Sequence, residues 1–266
     1  MRRLSLATAA VAAAVLAASI VGSDGIGAQG PAASPDPAPR MADGKPDLSG
    51  VWWTGGDVGS RGINFGRGLG GGRGRGGEPA PPTYTDLLTP AAAGAAKKMN
   101  DDHDPTLRCI PTAFGTLNVS LFDVGAIGQI VATPKFVVML TETFHGFRLI
   151  PTDGRPHRAE VPPSYRGDSV GRWEGDVFVV ETKNFTDDTW IWAEGRVSPH
   201  SDQMRLVERY RRVDRNTLEI DATIEDPKVL TKPWVVPKQT LVLAPFDQIL
   251  PLNCSSLEES IRDVRP

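Results

Sequence analysis

The sequence has little of what marks a metal, redox or nucleotide site. It contains two cysteines and four histidines in 266 residues. No two histidines stand at the HxH or HxxxH spacing typical of zinc sites. No Walker loop is present, and the glycine-rich run at 68–72 precedes no predicted helix. We therefore predict neither a metal site nor a cofactor.

An excess of charge of one sign is also lacking. The 29 lysine and arginine residues are balanced by 32 aspartate and glutamate residues. Such a chain has no overall field toward nucleic acid or an acidic membrane surface. The Gly-rich and Arg-rich stretch at 54–77 is typical of a flexible loop, with RNA binding as the alternative. We predict no nucleic-acid partner.

What is present at the N-terminus is an export signal. Arg2 and Arg3 precede an apolar stretch at 4–21, and small residues follow to Ala28. This three-part pattern predicts a signal peptide over 1–28 and a periplasmic or secreted protein without membrane attachment after cleavage. An uncleaved anchor is the alternative, and the paired arginines allow a twin-arginine route.

The two cysteines, Cys109 and Cys254, both lie in the exported part. In an oxidising compartment an isolated pair of this kind usually forms a disulfide. A catalytic thiol would need a neighbouring base or cation, which the flanking residues do not supply. We predict a structural disulfide between them.

The remaining chain reads as a spacer followed by one all-β domain. Residues 29–47 are rich in Pro, Ala and Asp and predict a disordered spacer, and residues 48–266 form the domain. Thr89 and Pro90 predict the start of one short helix. About eight or nine strands joined by tight turns predict an antiparallel meander that closes into a barrel, with a curved sandwich as the alternative. Ten segments are strand candidates, from which the eight or nine barrel strands would come: 48–53, 119–122, 129–133, 136–145, 147–151, 169–174, 177–184, 205–213, 218–224 and 235–243.

Alternation of apolar and polar residues predicts which strand faces point inward. In 217–225 the residues Leu218 to Ile224 at every second position form the core face. In 204–212 the same rule turns Glu208 inward. In 136–144 the bulkier set of Phe136, Val138 and Leu140 favours an inward Glu142, although the opposite face is apolar too.

Inward carboxylates are candidates for acid–base chemistry or ligand anchoring, because an ionised group is costly to bury. Glu208 and Glu142 are therefore candidate catalytic residues. A buried ion pair with Arg148 or Arg172 is the alternative. Histidines at strand ends, His145 and His200, are further acid–base candidates, and His157 lies in a similar position.

Ligand-contacting residues are predicted around this centre. Arg148 and Asn184 would anchor or polarise the ligand. The long segment 184–202 carries Asp188 and Trp190, which could cover it, and Trp173 joins the candidate set. A hydrophobic lid that closes one end of the barrel is the alternative for this segment.

Four blocks of sequence resemble a family of exported bacterial proteins. They are GFRLIPTDGRPH (146–157), PPSYRGDSVGRWEGDVFVVET (162–182), PHSDQMRLVERYRR (199–212) and TLEIDATIEDP (217–227). The family is common in soil bacteria and has no assigned reaction. The resemblance runs from Leu48 to Cys254 and implies bacterial secretion and one domain. This chain departs from it in the 54–77 loop and at Thr112-Ala113-Phe114.

A looser likeness is to lipocalin-type barrels. Gly50-Val51-Trp52 resembles their Gly-x-Trp opening, in which the tryptophan plugs one barrel end. The leading hypothesis is a barrel that binds a small organic molecule and performs cofactor-free lyase, isomerase or hydrolase chemistry, with Glu208 and His145 as the acid–base pair. A non-catalytic carrier and a surface interaction module are the alternatives. Nothing in the sequence indicates an oligomeric state.

Overall fold

The computed structural model shows a nearly closed antiparallel β-barrel. The structure describes residues 36–55, 81–115, 119–122, 127–193 and 196–251. The predicted signal peptide, the Gly-rich and Arg-rich loop from residue 56, and Cys254 lie outside these residues. The signal peptide and the disulfide therefore stay predictions.

Nine strands form the barrel sheet, in the order β4-β3-β2-β1-β11-β10-β9-β6-β5, and β7 and β8 form a separate two-stranded ribbon. The prediction of an all-β antiparallel barrel is confirmed. The strands are β1 (Gly50–Trp53), β2 (Ile127–Ala132), β3 (Phe136–Thr141), β4 (Phe147–Pro151), β5 (Asp168–Glu174), β6 (Val177–Lys183), β7 (Ile191–Ala193), β8 (Arg196–Ser198), β9 (Arg205–Arg212), β10 (Thr217–Glu225) and β11 (Trp234–Leu243).

Helix is scarce. The helix α1 (Pro90–Ala96) begins as predicted, because the Thr89 hydroxyl accepts a hydrogen bond from the Ala92 N–H at 3.3 Å. Short 3-10 turns cover Thr85–Leu87, Asp101–His103, Pro105–Arg108 and Thr143–His145. Within the described ranges no helix has both the length and the apolar character needed to cross a membrane.

Inward and outward faces follow the predicted alternation in β9 and β10 and depart from it in β3. Glu208 and the apolar residues at every second position of β10 are buried, as predicted. In β3 the buried residues are Val137, Met139 and Thr141, at 0%, 2% and 6% exposed, whereas Leu140 is only half-buried. The predicted inward face of this strand is wrong. Both of its faces are apolar, so alternation could not distinguish them.

The segment 119–122, predicted as a strand, forms a turn inside the barrel instead. Leu121 and Phe122 are fully buried in the core that Trp52 and Tyr210 share. Gly128 on β2 allows this approach, since a Cβ there would lie 2.5 Å from the Leu121 carbonyl oxygen. This segment therefore fills space that a ligand would need inside the barrel.

One end of the barrel is closed around Trp52. Its indole N–H donates to the Leu48 carbonyl at 3.0 Å, and the Arg212 guanidinium lies over its ring at 5.0 Å. Arg212 also donates to the carbonyls of Asp47 and Ser49. These contacts support a structural role for Trp52 at this end, in keeping with the lipocalin-type likeness.

Two segments are more ordered than the sequence indicated. Residues 36–47 belong to the predicted spacer, yet Arg40 binds Asp176 at 2.7 Å and Asp36 binds Arg215 at 3.1 Å. Ion pairs, which composition does not reveal, hold this segment to the strand turns. The predicted loop at 184–202 contains the β7–β8 ribbon, which lies in a second core cluster with Tyr84, Phe114 and Trp234.

Candidate functional site

The strands β4 and β5 are the two edges of the nine-stranded sheet. Each strand is antiparallel to its neighbour, so with nine strands the first and last run in the same direction and cannot form an antiparallel ladder. They are connected near the end of β4, where the Gly154 N–H donates to the Gly171 carbonyl at 2.9 Å and Asp153 bridges Arg172. We call the gap between these edges the seam.

A cleft of about 380 Å³ opens in the seam, between the start of β4 and the start of β5. We call it the seam cleft. Its apolar wall consists of Phe136, Phe147, Leu149, Pro151, Pro156 and Val170, and its charged wall of Arg148, Arg155, Arg158, Arg166 and Asp168. Phe147 and Leu149 are 62% and 53% exposed, although both side chains are large and apolar. Exposed apolar groups beside a polar rim are typical of ligand sites.

Behind the cleft, Glu208 is held in a buried hydrogen-bond network. Its side chain is 1% exposed, and its Oε2 accepts from Arg148 Nη2 at 2.7 Å. Its Oε1 accepts from the Tyr210 hydroxyl at 2.7 Å and from the Ser120 hydroxyl. Both carboxylate oxygens therefore have partners. This is the buried ion pair that the sequence left open as the alternative to catalysis.

Arg148 connects this network to the seam cleft. Its guanidinium donates to Ser120 at 2.7 Å, to Thr182 at 2.9 Å and to Ser169 at 3.3 Å, while the side chain also lines the cleft. Burial by itself lowers the pKa of Arg148, but the interactions with Glu208 and Tyr210 together outweigh burial and raise the pKa overall. The cleft thus has a permanent, rigidly held positive charge at its back.

Asp168 lies on the outer side of the seam and is joined to two basic side chains. Its Oδ1 accepts from Arg158 Nη2 at 2.6 Å, and its Oδ2 lies 3.0 Å from His157 Nδ1. Burial acts to raise the pKa of Asp168, but the bonds from Arg158 and His157 lower it overall. His157 Nε2 lies 3.3 Å from a Glu181 oxygen without the geometry of a hydrogen bond. The His157 ring thus lies between Glu181 and Asp168, and of these three residues Asp168 lines the cleft.

Ser169 belongs to the stretch Gly167-Asp168-Ser169-Val170-Gly171, which has the letter pattern GxSxG of a hydrolase nucleophile elbow. In the structure this stretch leads into strand β5 rather than a strand-to-helix turn. Alternation places Ser169 on the inner face beside Thr182 at 2.9 Å, away from the side of Asp168 that binds His157. These three residues therefore do not form a Ser-His-Asp triad.

His200 lies in the second core cluster, apart from Glu208. It is buried, its ring contacts the Phe185 ring, and its Nδ1 lies 3.1 Å from the Ser201 carbonyl oxygen. Because a carbonyl only accepts, Nδ1 carries the proton and Nε2 is an acceptor, which has no partner in the described part of the chain. Burial lowers the pKa of His200, so the ring is neutral at neutral pH.

The candidate residues Glu142 and His145 lie near the end of β3, and Glu142 does not line the seam cleft. Glu142 follows the strand, is half-buried rather than inward, and its Oε1 accepts from the Leu250 N–H at 3.1 Å. The predicted inward position of Glu142 is wrong, since β3 ends at Thr141 and a 3-10 turn begins. His145 is the last residue of that turn, and its side chain lies outside what the structure describes.

The predicted ligand-contacting residues other than Arg148 lie elsewhere. Asn184 donates to the Val161 carbonyl at 2.7 Å and adopts a positive φ of 62°. Asp188 is exposed. Trp190 faces α1, with Lys98 and Met99 in the same groove. Trp173 packs on Phe178 with ring centroids 5.1 Å apart.

Sequence reasoning therefore missed most of the cleft. Arg158, Arg166, Asp168 and Ser169 line it, and none was a candidate. A local signal did exist, because three arginines and a histidine lie between Asp153 and Asp168, within sixteen residues of sequence. Within the described ranges, no three His, Cys, Asp or Glu side chains lie close enough together to hold a metal ion.

Comparison with known proteins gives no match, whether to a family model, a curated protein or a solved structure. The resemblance to exported proteins of soil bacteria therefore remains a hypothesis. The likeness that the structure supports is architectural: a nearly closed antiparallel barrel with a buried tryptophan at one end.

Proposed function

We propose that this chain is an exported β-barrel that binds a small organic molecule in the seam cleft. The observation that carries the proposal is a cleft of about 380 Å³ with an apolar wall and the fixed charge of Arg148 at its back. That volume lies at the small end of the range for ligand sites, roughly 300–1,000 Å³. An apolar surface with a few polar groups of fixed position is the usual composition of such sites.

The packing of the barrel supports the seam rather than the barrel axis as the ligand position. The segment 119–122 and the pair of Glu208 and Arg148 occupy the interior. A lipocalin-like carrier would instead need an apolar interior cavity. The small ligand would therefore bind in the barrel wall, at the seam, rather than on the barrel axis.

A second candidate function is acid–base catalysis on the same ligand. It is favoured by the 3.0 Å contact between His157 and Asp168, the carboxylate that lines the cleft. A histidine oriented by a carboxylate is a common general base. Glu208 suits this role less well, because both of its oxygens already accept hydrogen bonds.

A thermal-shift screen of sugars, phenolics and fatty acids tests the binding proposal. We expect one compound class to raise the melting temperature of the wild type and of Val213→Trp, but not of Leu149→Trp. Leu149 lines the cleft, whereas Val213 is a similarly exposed apolar residue away from it. The proposal is wrong if no class stabilises the wild type, or if Leu149→Trp responds as the wild type does.

The catalytic candidate needs a separate measurement. Each compound that binds is incubated with wild type and with His157→Gln, and the products are analysed by mass spectrometry. Conversion by the wild type that is lost in His157→Gln, with binding retained, supports catalysis. Absence of conversion for every bound compound contradicts it and leaves the binding protein.

A further inference from the structure

Strands β2, β3 and β4 carry a continuous apolar surface on the outside of the barrel. Val131 pairs with Val138 and Val138 with Leu149, while Leu140 pairs with Phe147. Residues directly opposite each other in an antiparallel sheet point to the same face. Val131, Phe147 and Leu149 are 41%, 62% and 53% exposed. We call this surface the outer apolar face; it consists of Val131, Phe136, Val138, Leu140, Phe147, Leu149 and Pro151.

The seam cleft accounts for only part of this face. Its residues on β4 line the cleft, whereas Val131, Val138 and Leu140 do not. A ligand in the cleft would therefore leave the β2 and β3 side of the face in contact with water. Contiguous apolar surface of this kind is typical of a site that something else covers. The β2 and β3 side requires an occupant other than the ligand of the cleft.

The chain beyond β11 runs along the outside of the barrel toward this face. Its contacts follow the order of the strands: Phe246 with Trp53 of β1 at 5.9 Å between ring centroids, Asp247 and Ile249 with Gln129 of β2, and Leu250 with Glu142 just past β3. Gln129 is the register partner of Leu140, which belongs to the face. The described part of this segment therefore ends beside the outer apolar face.

We infer that residues 252–266 continue in the same direction and cover the outer apolar face. These residues lie outside the described ranges. Leu257, Ile261 and Val264 stand at positions i, i+4 and i+7, the spacing of one apolar stripe along a helix. Ser255 and Ser256 are each followed three residues later by a glutamate, which is the pattern of a capping box at a helix start. The sequence thus predicts a short amphipathic helix directly after the point where the chain reaches the face.

The predicted helix matches the face in size. A helix over 256–265 would be about 15 Å long. The face extends about 14 Å along β4, from Phe147 to Pro151, and about 10 Å across its three strands. The chain from Pro251 to Leu257 spans up to about 20 Å when extended. Leu257 can therefore reach the face from the position of Leu250.

The helix and the face each supply what the other requires. A helix of this length is marginal in water by itself, because isolated helices shorter than about 12–15 residues are barely stable. Burial of its apolar stripe against the face would stabilise it and remove both apolar surfaces from water. The charged residues Glu258, Glu259, Arg262 and Asp263 fall on the other side of the helix and would face solvent. The segment would then border the seam cleft along Phe147 and Leu149. This goes beyond the proposed function and is independent of any ligand.

Photo-crosslinking of the full chain identifies the occupant of the face. Val131 is replaced by p-benzoyl-phenylalanine, and the oxidised protein, with both native cysteines, is irradiated, digested and analysed by mass spectrometry. We expect the main crosslink to join position 131 to residues 255–266 of the same molecule, in a product that migrates as a monomer. The control position is Val235, which is 68% exposed on β11 and outside the face. The same photoreactive residue there should not crosslink to 255–266.

Two variants separate the apolar stripe of the segment from its charged side. Leu257→Ser/Ile261→Ser should reduce the yield of the crosslink about tenfold or more, because two large apolar side chains are lost. Glu258→Ser/Arg262→Ser changes the opposite side at the same spacing and should leave the yield within about twofold. Melting curves establish that each variant is folded. If the photoreactive residue at position 131 prevents folding, it is placed at Val138 instead.

Every other result overturns the inference. A crosslink that joins two molecules would assign the face to a second copy of the chain. A yield that Leu257→Ser/Ile261→Ser does not reduce would show that the apolar stripe does not hold the segment on the face. The absence of a crosslink to 255–266 would show that this segment does not cover it. None of these outcomes decides whether a ligand binds in the seam cleft, which the thermal-shift screen tests.

Discussion

Arg148 and Glu208 form an ion pair inside the barrel, with 2.7 Å between Nη2 and Oε2 and with side chains 6% and 1% exposed. The two residues come from β4 and β9, which are far apart in the strand order. Arg148 also lines the seam cleft, so the pair links the packed interior to the candidate site. Its energetics can be measured separately from any ligand.

We expect Arg148→Met to lower the free energy of unfolding by about 3–5 kcal/mol, because it leaves Glu208 buried without its cation. The double variant Arg148→Met/Glu208→Leu should regain most of that loss, since no unpaired charge remains in the barrel. Urea denaturation followed by tryptophan fluorescence measures both. A double variant as unstable as Arg148→Met would contradict the ion-pair explanation.

The orientation of β3 can be tested by neighbouring truncations. Met139→Ala removes a side chain from the barrel core and should cost about 2–5 kcal/mol. Leu140→Ala, on the half-buried side of the same strand, should cost about 1 kcal/mol or less. If urea denaturation shows that Leu140→Ala loses as much free energy of unfolding as Met139→Ala, or more, then the inward face that alternation favoured would be the correct one.

Lowering the pH should decrease the free energy of unfolding, because Glu181 becomes protonated. The hydrogen bond from Arg205 holds the pKa of Glu181 at about 2, against an ordinary value of 4.5. Because the pKa is lower in the folded state, the stabilisation is complete above about pH 4.5 and is lost as the pH falls toward 2. The free energy of unfolding of Glu181→Gln should therefore depend less on pH in this window than that of the wild type. Identical slopes would show that Glu181 is not responsible.

His200 should affect the free energy of unfolding in a different pH range. Burial lowers its pKa below the ordinary 6.5, so the unfolded chain takes up the proton first as the pH falls. Stability should then decrease from about pH 6.5 downward. His200→Gln, which keeps a donor for the Ser201 carbonyl, should flatten the dependence of the free energy of unfolding on pH below about 6.5. An unchanged pH dependence in His200→Gln would contradict the assignment of this effect to His200.

The parts of the fold that the sequence predicted correctly depend on local patterns. Strand β10 alternates cleanly, so its core face could be assigned without the structure, and Thr89 followed by Pro90 marks the start of α1. Strand β3 is apolar on both faces, and 119–122 is apolar without alternation. For such segments the surrounding packing decides their role, and a local pattern contains no information about it.

The candidate site was predictable only in its buried half. Alternation turned Glu208 inward, and a buried carboxylate requires a cation, for which Arg148 was one of two alternatives. The outer half depends on how the edges of the sheet meet and on which side chains from 155–169 reach the gap. Arg166 approaches Gly146 across twenty residues of chain, a proximity that exists only when the barrel is formed.

The odd number of strands has a consequence for the motions of the barrel. Eight of its nine strand junctions are antiparallel ladders, whereas β4 and β5 meet through the few hydrogen bonds around Gly154 and Gly171. Local unfolding follows the route that breaks fewest hydrogen bonds. Amide hydrogens at the facing edges of β4 and β5 should therefore exchange with deuterium faster than those of β9 and β10, and a ligand that fills the gap should slow them. The junction between β4 and β5, the least stable part of the barrel, would then open to admit the ligand of the proposed site.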